Sequence, residues 1–216
     1  MIAFNRGPFV EGTMKLGRAL TVAAILAGLS PGFAERAAGS GDEFLARLLG
    51  GLYREGESFA CFSRQYDAAH LAAHPGQRVT FVKALVSAYF RESPIAAGRG
   101  AYAYQVSLAF RFRDRSETLP QVAECGDAKD SLRYGASCAG PGVAGMRLAL
   151  EGDRSVAIAI PGGADLWAPG PIDKRHDTVR NPFGPDDEVF RLDRTDVSQC
   201  EDLAFDRQKP LRPHEP

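Results

Sequence analysis

From Tyr102 to Phe112 the chain changes character at every residue. Tyr102, Tyr104, Val106, Leu108, Phe110 and Phe112 alternate with Ala103, Gln105, Ser107, Ala109 and Arg111. A period of two fits an extended chain whose side chains point to opposite faces in turn. The stretch is therefore an antiparallel strand with one aromatic, buried face and one wetter face. VTFVKALVSAYF, from Val79, reads as a second long strand with Ala84 and Ala88 as small residues on one face. SPIAAGRG between the two reads as a hairpin loop. Shorter strands are expected near 118–125, 130–138, 145–151, 155–160 and 188–193, with turn signals between them. The segment PGGADLWAPGPIDKRHDTVRNPFGPDD is too rich in Pro, Gly and Asp for regular structure.

Seven or eight strands in succession leave two sheet edges to hide, and closure removes both. The expected fold is mainly β: a small antiparallel β-barrel of lipocalin size, with one or two short N-terminal helices packed at one end. A two-sheet sandwich is the alternative.

Two helices are expected before the long strands. In DEFLARLLGGLY, residues 42–53, the side chains of Phe44, Leu45, Leu48, Leu49, Leu52 and Tyr53 share one face at helical spacing. A second helix is placed from about Arg64 to Ala73, capped by Ser63. It stops at His74, because Pro75 disfavours the helical conformation at the residue before it. Pro75-Gly76 reads as a turn with positive φ at Gly76, leading into the strand at Val79.

The start of the chain carries an address. From Met14, Lys15 and Arg18 precede an uncharged apolar run from Ala19 to Leu29, and Gly32-Phe33-Ala34 offers a cleavage site. This is the order of a secretory signal peptide, and the run is short for a permanent span. The expected organisation is an over-called start over 1–13, a signal peptide over 14–34, and a helix with its linker over 35–60. The barrel then takes 61–206, followed by a disordered tail over 207–216. The mature protein is expected to be periplasmic or secreted, with no membrane anchor after cleavage. All four cysteines lie in the mature part, and an even count in an exported chain reads as two disulfides. Cys125 and Cys138 flank a short turn-rich segment, and Cys61 and Cys200 stand near the two ends of the folded body. The favoured pairing is therefore 61–200 with 125–138. A four-thiolate metal site needs close-spaced pairs such as CxxC, which the chain lacks.

The chain holds 26 basic and 27 acidic residues. Arg6, Lys15, Arg18 and Glu11 fall before the cleavage site, so the mature protein is slightly acidic. That balance argues against a nucleic-acid partner or an anionic membrane surface. No GxSxG elbow, HExxH helix, GxGxxG or P-loop is present. Ser137 stands beside a disulfide cysteine with no base to activate it. No catalytic residue is assigned and no cofactor is expected.

Asp67, His70 and His74 form the one set with metal-ligand spacing, to which His176 with Asp173 or Asp177 could add. Pro75 disturbs the spacing, so the preferred reading is an Asp67–His70 contact within the helix and a turn position for His74. For binding, Tyr102, Tyr104, Phe110 and Phe112 could line a cavity or fill the core, and Trp167 in the long loop is a candidate contact for a protein partner.

The run CFSRQYDAAHLAAHPGQRVTFVKALV resembles the opening of a group of uncharacterised exported bacterial β-rich proteins. The residues carrying the likeness are Tyr66, His70, Leu71, His74, Pro75, Gln77 and Val79. The resemblance implies export and a β-rich body, and no activity.

The leading functional expectation is a non-enzymatic exported domain that binds a small apolar ligand or an envelope protein. The alternatives are a metal-dependent enzyme using His70 and His74, and a structural envelope protein without ligand.

Overall fold

The structure, a computed structural model, describes residues 41–52, 55–92, 100–126, 135–169, 177–204 and 211. The segment read as a signal peptide, Tyr53 of the first helical face, and His176 and Asp173 lie outside the described residues. Eight strands close into an antiparallel barrel. They are β1 (Glu57–Gln65), β2 (Val79–Glu92), β3 (Gly100–Phe112), β4 (Leu119–Gly126), β5 (Ala136–Gly140), β6 (Val143–Leu150), β7 (Ser155–Ala159) and β10 (Val189–Thr195). Each pairs with its neighbour in the chain and β10 returns to β1, so the topology is a closed up-and-down meander and not a sandwich. Between β7 and β10 the chain makes a separate two-stranded ribbon, β8 (Leu166–Trp167) with β9 (Thr178–Val179), inside the segment read as irregular.

The strict alternation in β3 works as its pattern requires. Tyr104, Val106, Leu108, Phe110 and Phe112 are buried on the inner face. Facing them across β2 are Val82, Ala84, Val86 and Ala88, also buried. A bulge between Val79 and Phe81 shifts the register at the start of β2, which keeps Val79 inside as well.

The sequence reading misses β1. It starts a helix at Ser63, but Ser63 lies within β1, paired with Lys83 and Asp193. The helix α2 is shorter, Ala68–Ala73, and its cap is Asp67, whose carboxylate accepts from the His70 amide at 2.7 Å. The turn that follows closes between the Gln77 amide and the His74 carbonyl, as expected. Gly76 does not adopt positive φ there. Glycine is required for room instead: a Cβ at Gly76 would stand 2.8 Å from both Asp186 Oδ2 and Pro185 Cγ.

The barrel wall is buried on both sides over part of its circumference. Inside, Ala60 and Phe62 of β1 join the main core. Outside, Cys61 and Leu85 pack with Val197, Cys200 and Leu211 in a second, smaller cluster. A 3-10 helix, Val197–Leu203, lies on this outer face, capped by Asp196. Lys83 ties it down through Asp202 and the Gln199 carbonyl. Leu211, in the stretch read as a disordered tail, is buried here. The Cys61–Cys200 disulfide joins strand and helix, and Cys125–Cys138 joins β4 to β5, so both expected pairings are present.

The expected N-terminal helix is α1, Gly41–Leu49. Leu45, Leu48 and Leu49 are buried in the main core, with Phe44 and Leu52 packed against it. Gly50 ends the helix with φ 79°, the left-handed conformation that closes many helices.

Candidate functional site

The two ends of the barrel are closed by different means, and each gathers some of the candidate residues. At the α2 end, Tyr66, His70 and His74 stack in a ladder, with ring centroids 4.7 and 4.3 Å apart. The Gln77 side-chain amide donates to the Val79 carbonyl at 2.8 Å, and its oxygen faces His70 Nε2 at 2.9 Å, so His70 donates from Nε2. His74 Nδ1 lies 2.9 Å from the His70 carbonyl, which can only accept, so His74 donates from Nδ1. Arg113 reaches across to the Leu71 and His74 carbonyls and closes the C-terminal end of α2. All three residues of the metal candidate trio thus have structural roles, with Asp67 capping the helix while His70 and His74 stack and brace the turn. Among the described residues, no group of three or more His, Cys, Asp and Glu side chains is placed to hold a metal ion.

The same end is sealed by the segment that precedes β10. Asp187 is buried, and its carboxylate accepts from the Gly184 and Arg78 amides at 2.8 Å each and from the Val79 amide at 3.2 Å. Burial pushes this carboxyl above its ordinary pKa, and the amides of Gly184, Arg78 and Val79 pull against that shift. Asp186 accepts from the Gly76 amide at 3.0 Å. The latch holds Phe183 over the barrel interior, with ring centroids 5.1 Å from Phe110, 5.6 Å from Phe112 and 6.0 Å from Phe190. Phe110 and Phe112, two of the ligand-lining candidates, are therefore packed among aromatic rings as part of the core. Burial also pushes the Tyr66 phenol up to about 12, with Arg64 opposing the shift and Asp187 adding to it.

Tyr104 and Tyr102 lead towards the other end. Tyr104 is buried and its hydroxyl donates to the Gly126 carbonyl at 3.4 Å. Tyr102 is half-buried, edge-on to Phe90 at 5.2 Å. Trp167 lies apart from both, half-buried in the β8–β9 ribbon.

The strand register runs Ser58–Ala88–Tyr104–Cys125–Cys138–Met146 across six strands. Cys138 belongs to the main core and Cys125 packs against it, so this disulfide faces the interior, whereas Cys61–Cys200 faces outward. Small side chains dominate on the β1 and β2 side of this end: Ser58, Ala60, Ala84 and Ala88. Helix α1 covers it. Arg47 pairs with Asp153 in the β6–β7 turn, and Arg194 of β10 donates to the Leu48 carbonyl at 2.7 Å.

Ser58 is the anomaly of this end. It is 4 % exposed and its hydroxyl has no hydrogen-bond partner among the described residues. A buried hydroxyl without a partner costs roughly 1–3 kcal/mol and is uncommon in native interiors. Sequence reasoning missed both Ser58 and Arg194. The signal for Arg194 was present, since Phe190, Leu192 and Arg194 alternate along one strand. Ser58 carried none, because β1 itself was not recognised.

No family model, curated protein or solved structure matches this chain.

Proposed function

We propose that the chain is an exported, disulfide-framed β-barrel that binds a small apolar molecule inside its α1 end. The observation that carries this reading is the Ser58 hydroxyl, buried amid small side chains under a short helix with no partner among the described residues. A ligand with one polar atom would satisfy the hydroxyl and fill the space the α1 leucines take. Export is supported by the signal-like N-terminus and by two disulfides with no free cysteine among the described residues. The aromatic α2 end supplies the rigid floor.

Native mass spectrometry of the full chain, expressed with its own leader and collected from the periplasm, tests the reading. The expected result is a small-molecule adduct that Ser58→Ala diminishes. Ser58→Ala should also raise the stability of the ligand-free protein by about 1 kcal/mol, since it removes an unsatisfied group. A ligand-free parent that Ser58→Ala destabilises, with no adduct in either protein, would overturn the reading and leave a purely structural barrel.

A further inference from the structure

The proposed function leaves the ligand's polar part open, and Arg194 narrows it. Arg194 follows Phe190 and Leu192 at alternate positions of β10, and both of those are buried in the core. Alternation turns Arg194 to the same, inner face. Its guanidinium carbon stands 4.8 Å from the centroid of the Phe62 ring, another core side chain. Burial lowers its pKa, and the neighbouring charge of Arg154 lowers it further.

Arg194 is half-buried and turned inward, and a charge drawn partly out of water favours an anionic partner. Arg194 has none among the described residues, where the ion pairs engage Arg47, Arg64, Arg78, Lys83, Arg115 and Arg191. The Arg194 side chain makes two hydrogen bonds, to the Leu48 carbonyl at 2.7 Å and the Arg47 carbonyl at 3.3 Å, both from one terminal nitrogen. Capping the last carbonyls of α1 is a sound structural role for an arginine. It occupies only one corner of the guanidinium. Among the described residues nothing accepts from Nε or the other terminal nitrogen, which stand in the planar arrangement that a carboxylate meets with two parallel bonds.

We propose that the α1 end of the barrel seats an amphipathic carboxylate, a free long-chain acid whose head is held by Arg194 and whose apolar chain replaces Leu45, Leu48 and Leu49. This rests on the reading that the barrel binds an apolar ligand. Without the acid, α1 is the resident plug: its leucines fill the seat, and its terminal carbonyls hold the guanidinium until an acid competes for both. The Cys125–Cys138 disulfide and Tyr104 line the same register row as Ser58 and form part of the wall along which the chain would lie.

The test is a fluorescence titration of the full chain with dansyl-labelled undecanoic acid and with its methyl ester. Three proteins are compared: the parent, Arg194→Gln, and Leu48→Ala, which weakens the plug. The parent should prefer the acid by about tenfold or more, the range of a charge-assisted bidentate pair. Arg194→Gln should erase the preference while the ester still binds. Leu48→Ala should bind both probes more tightly. Equal binding of acid and ester by the parent overturns the carboxylate assignment and leaves the apolar-ligand reading standing. Binding of neither probe, by the parent or by Leu48→Ala, overturns both. If Arg194→Gln does not fold, the acid-to-ester ratio in the parent decides alone.

Discussion

Gly184 and Gly76 touch where the β10-side latch meets the entry to β2, and a methyl group at each position gives a graded test of that seal. A Cβ on Gly184 would stand 2.0 Å from the Gly76 carbonyl oxygen and 3.0 Å from Arg78 Cγ. The first neighbour is backbone, held between α2 and β2, and cannot rotate aside. The two segments would have to part by about 1 Å, in an interior that tolerates little displacement. Parting them lengthens the amide bonds from Gly184, Arg78 and Val79 to Asp187 and draws Phe183 away from Phe110 and Phe112. Losing one or two hydrogen bonds to a charged acceptor, with part of a ring's packing, amounts to about 3–4 kcal/mol. Gly76→Ala is milder, since its Cβ would meet side-chain atoms of Asp186 and Pro185. Asp186 is exposed and can turn away, at a cost of about 1 kcal/mol for its bond to the Gly76 amide. Gly76→Asn separates the two reasons a glycine can be needed. Asn tolerates positive φ, so it would rescue a conformational requirement, whereas its bulk worsens a steric one. Guanidinium unfolding of the oxidised proteins, followed by Trp and Tyr fluorescence, should rank them parent, Gly76→Ala, Gly76→Asn, Gly184→Ala in falling stability. Gly184→Ala within about 1 kcal/mol of the parent, or Asn better than Ala at 76, would refute the close-approach argument.

The two disulfides should differ in worth. They span 139 and 13 residues, so chain entropy assigns about 5 kcal/mol to Cys61–Cys200 and about 3 kcal/mol to Cys125–Cys138. Denaturation of the paired alanine variants reads this, and an equal or reversed order would show that packing outweighs loop closure. Tyr66 should give the protein an alkaline limb. Burial pushes its native phenol up to about 12, against about 10 for an unfolded one, so the unfolded chain ionises first as pH rises. Stability is then full below about pH 10 and falls by about 2 kcal/mol towards pH 12, after allowance for solvent screening. Melts between pH 9 and about pH 12 should show the decline in the parent and its loss in Tyr66→Phe; a limb that survives the substitution would assign it to another group.

Legibility in the sequence followed the chemical contrast between the two faces of each strand. β3 sets large apolar side chains inside against small or polar ones outside, and that alternation announced it although Ser107 and Ala109 are themselves covered. β1 has none of that contrast. Phe59 and Cys61 face the outer cluster, Ala60 and Phe62 face the core, and Ser58 puts a polar side chain on the inner face. With apolar side chains at Phe59 and Cys61 outside as well as at Ala60 and Phe62 inside, the period of two fades, and CFSRQ read as the approach to a helix. The same error displaced the cap: once β1 runs to Gln65, the first residue free to cap α2 is Asp67. Pro75 did stop the helix and turn the chain, but the role of Gly76 depended on a segment 110 residues later, which local turn rules do not contain. The disulfide pairing was readable because closure of a meander brings its first and last strands together. The candidate site was not readable, since whether Ser58 faces inward depends on a strand register known only once the barrel is closed.

The covalent frame treats the two ends of the barrel differently. The α2 end is sealed from within the framework: Asp186 and Asp187 hold four amides, and Phe183 and Asp187 lie on the chain between Cys61 and Cys200. Opening it means breaking charge-assisted bonds and unpacking an aromatic cluster in one cooperative step. Helix α1 lies outside that frame, before Cys61, and neither disulfide encloses it. A nine-residue helix does not persist alone in water, so docking and helix formation are one event. Three leucines favour docking, with the exposed Arg47–Asp153 pair adding at most about 1 kcal/mol. The Arg194 bonds to the Leu48 and Arg47 carbonyls add to it, and against it stand the ordering of the segment and the Ser58 hydroxyl, which has no partner among the described residues. The proposed acid would have to compete with those carbonyls for Arg194 and with the three leucines for their space, and the crosslinked barrel would keep its shape while the helix gives way.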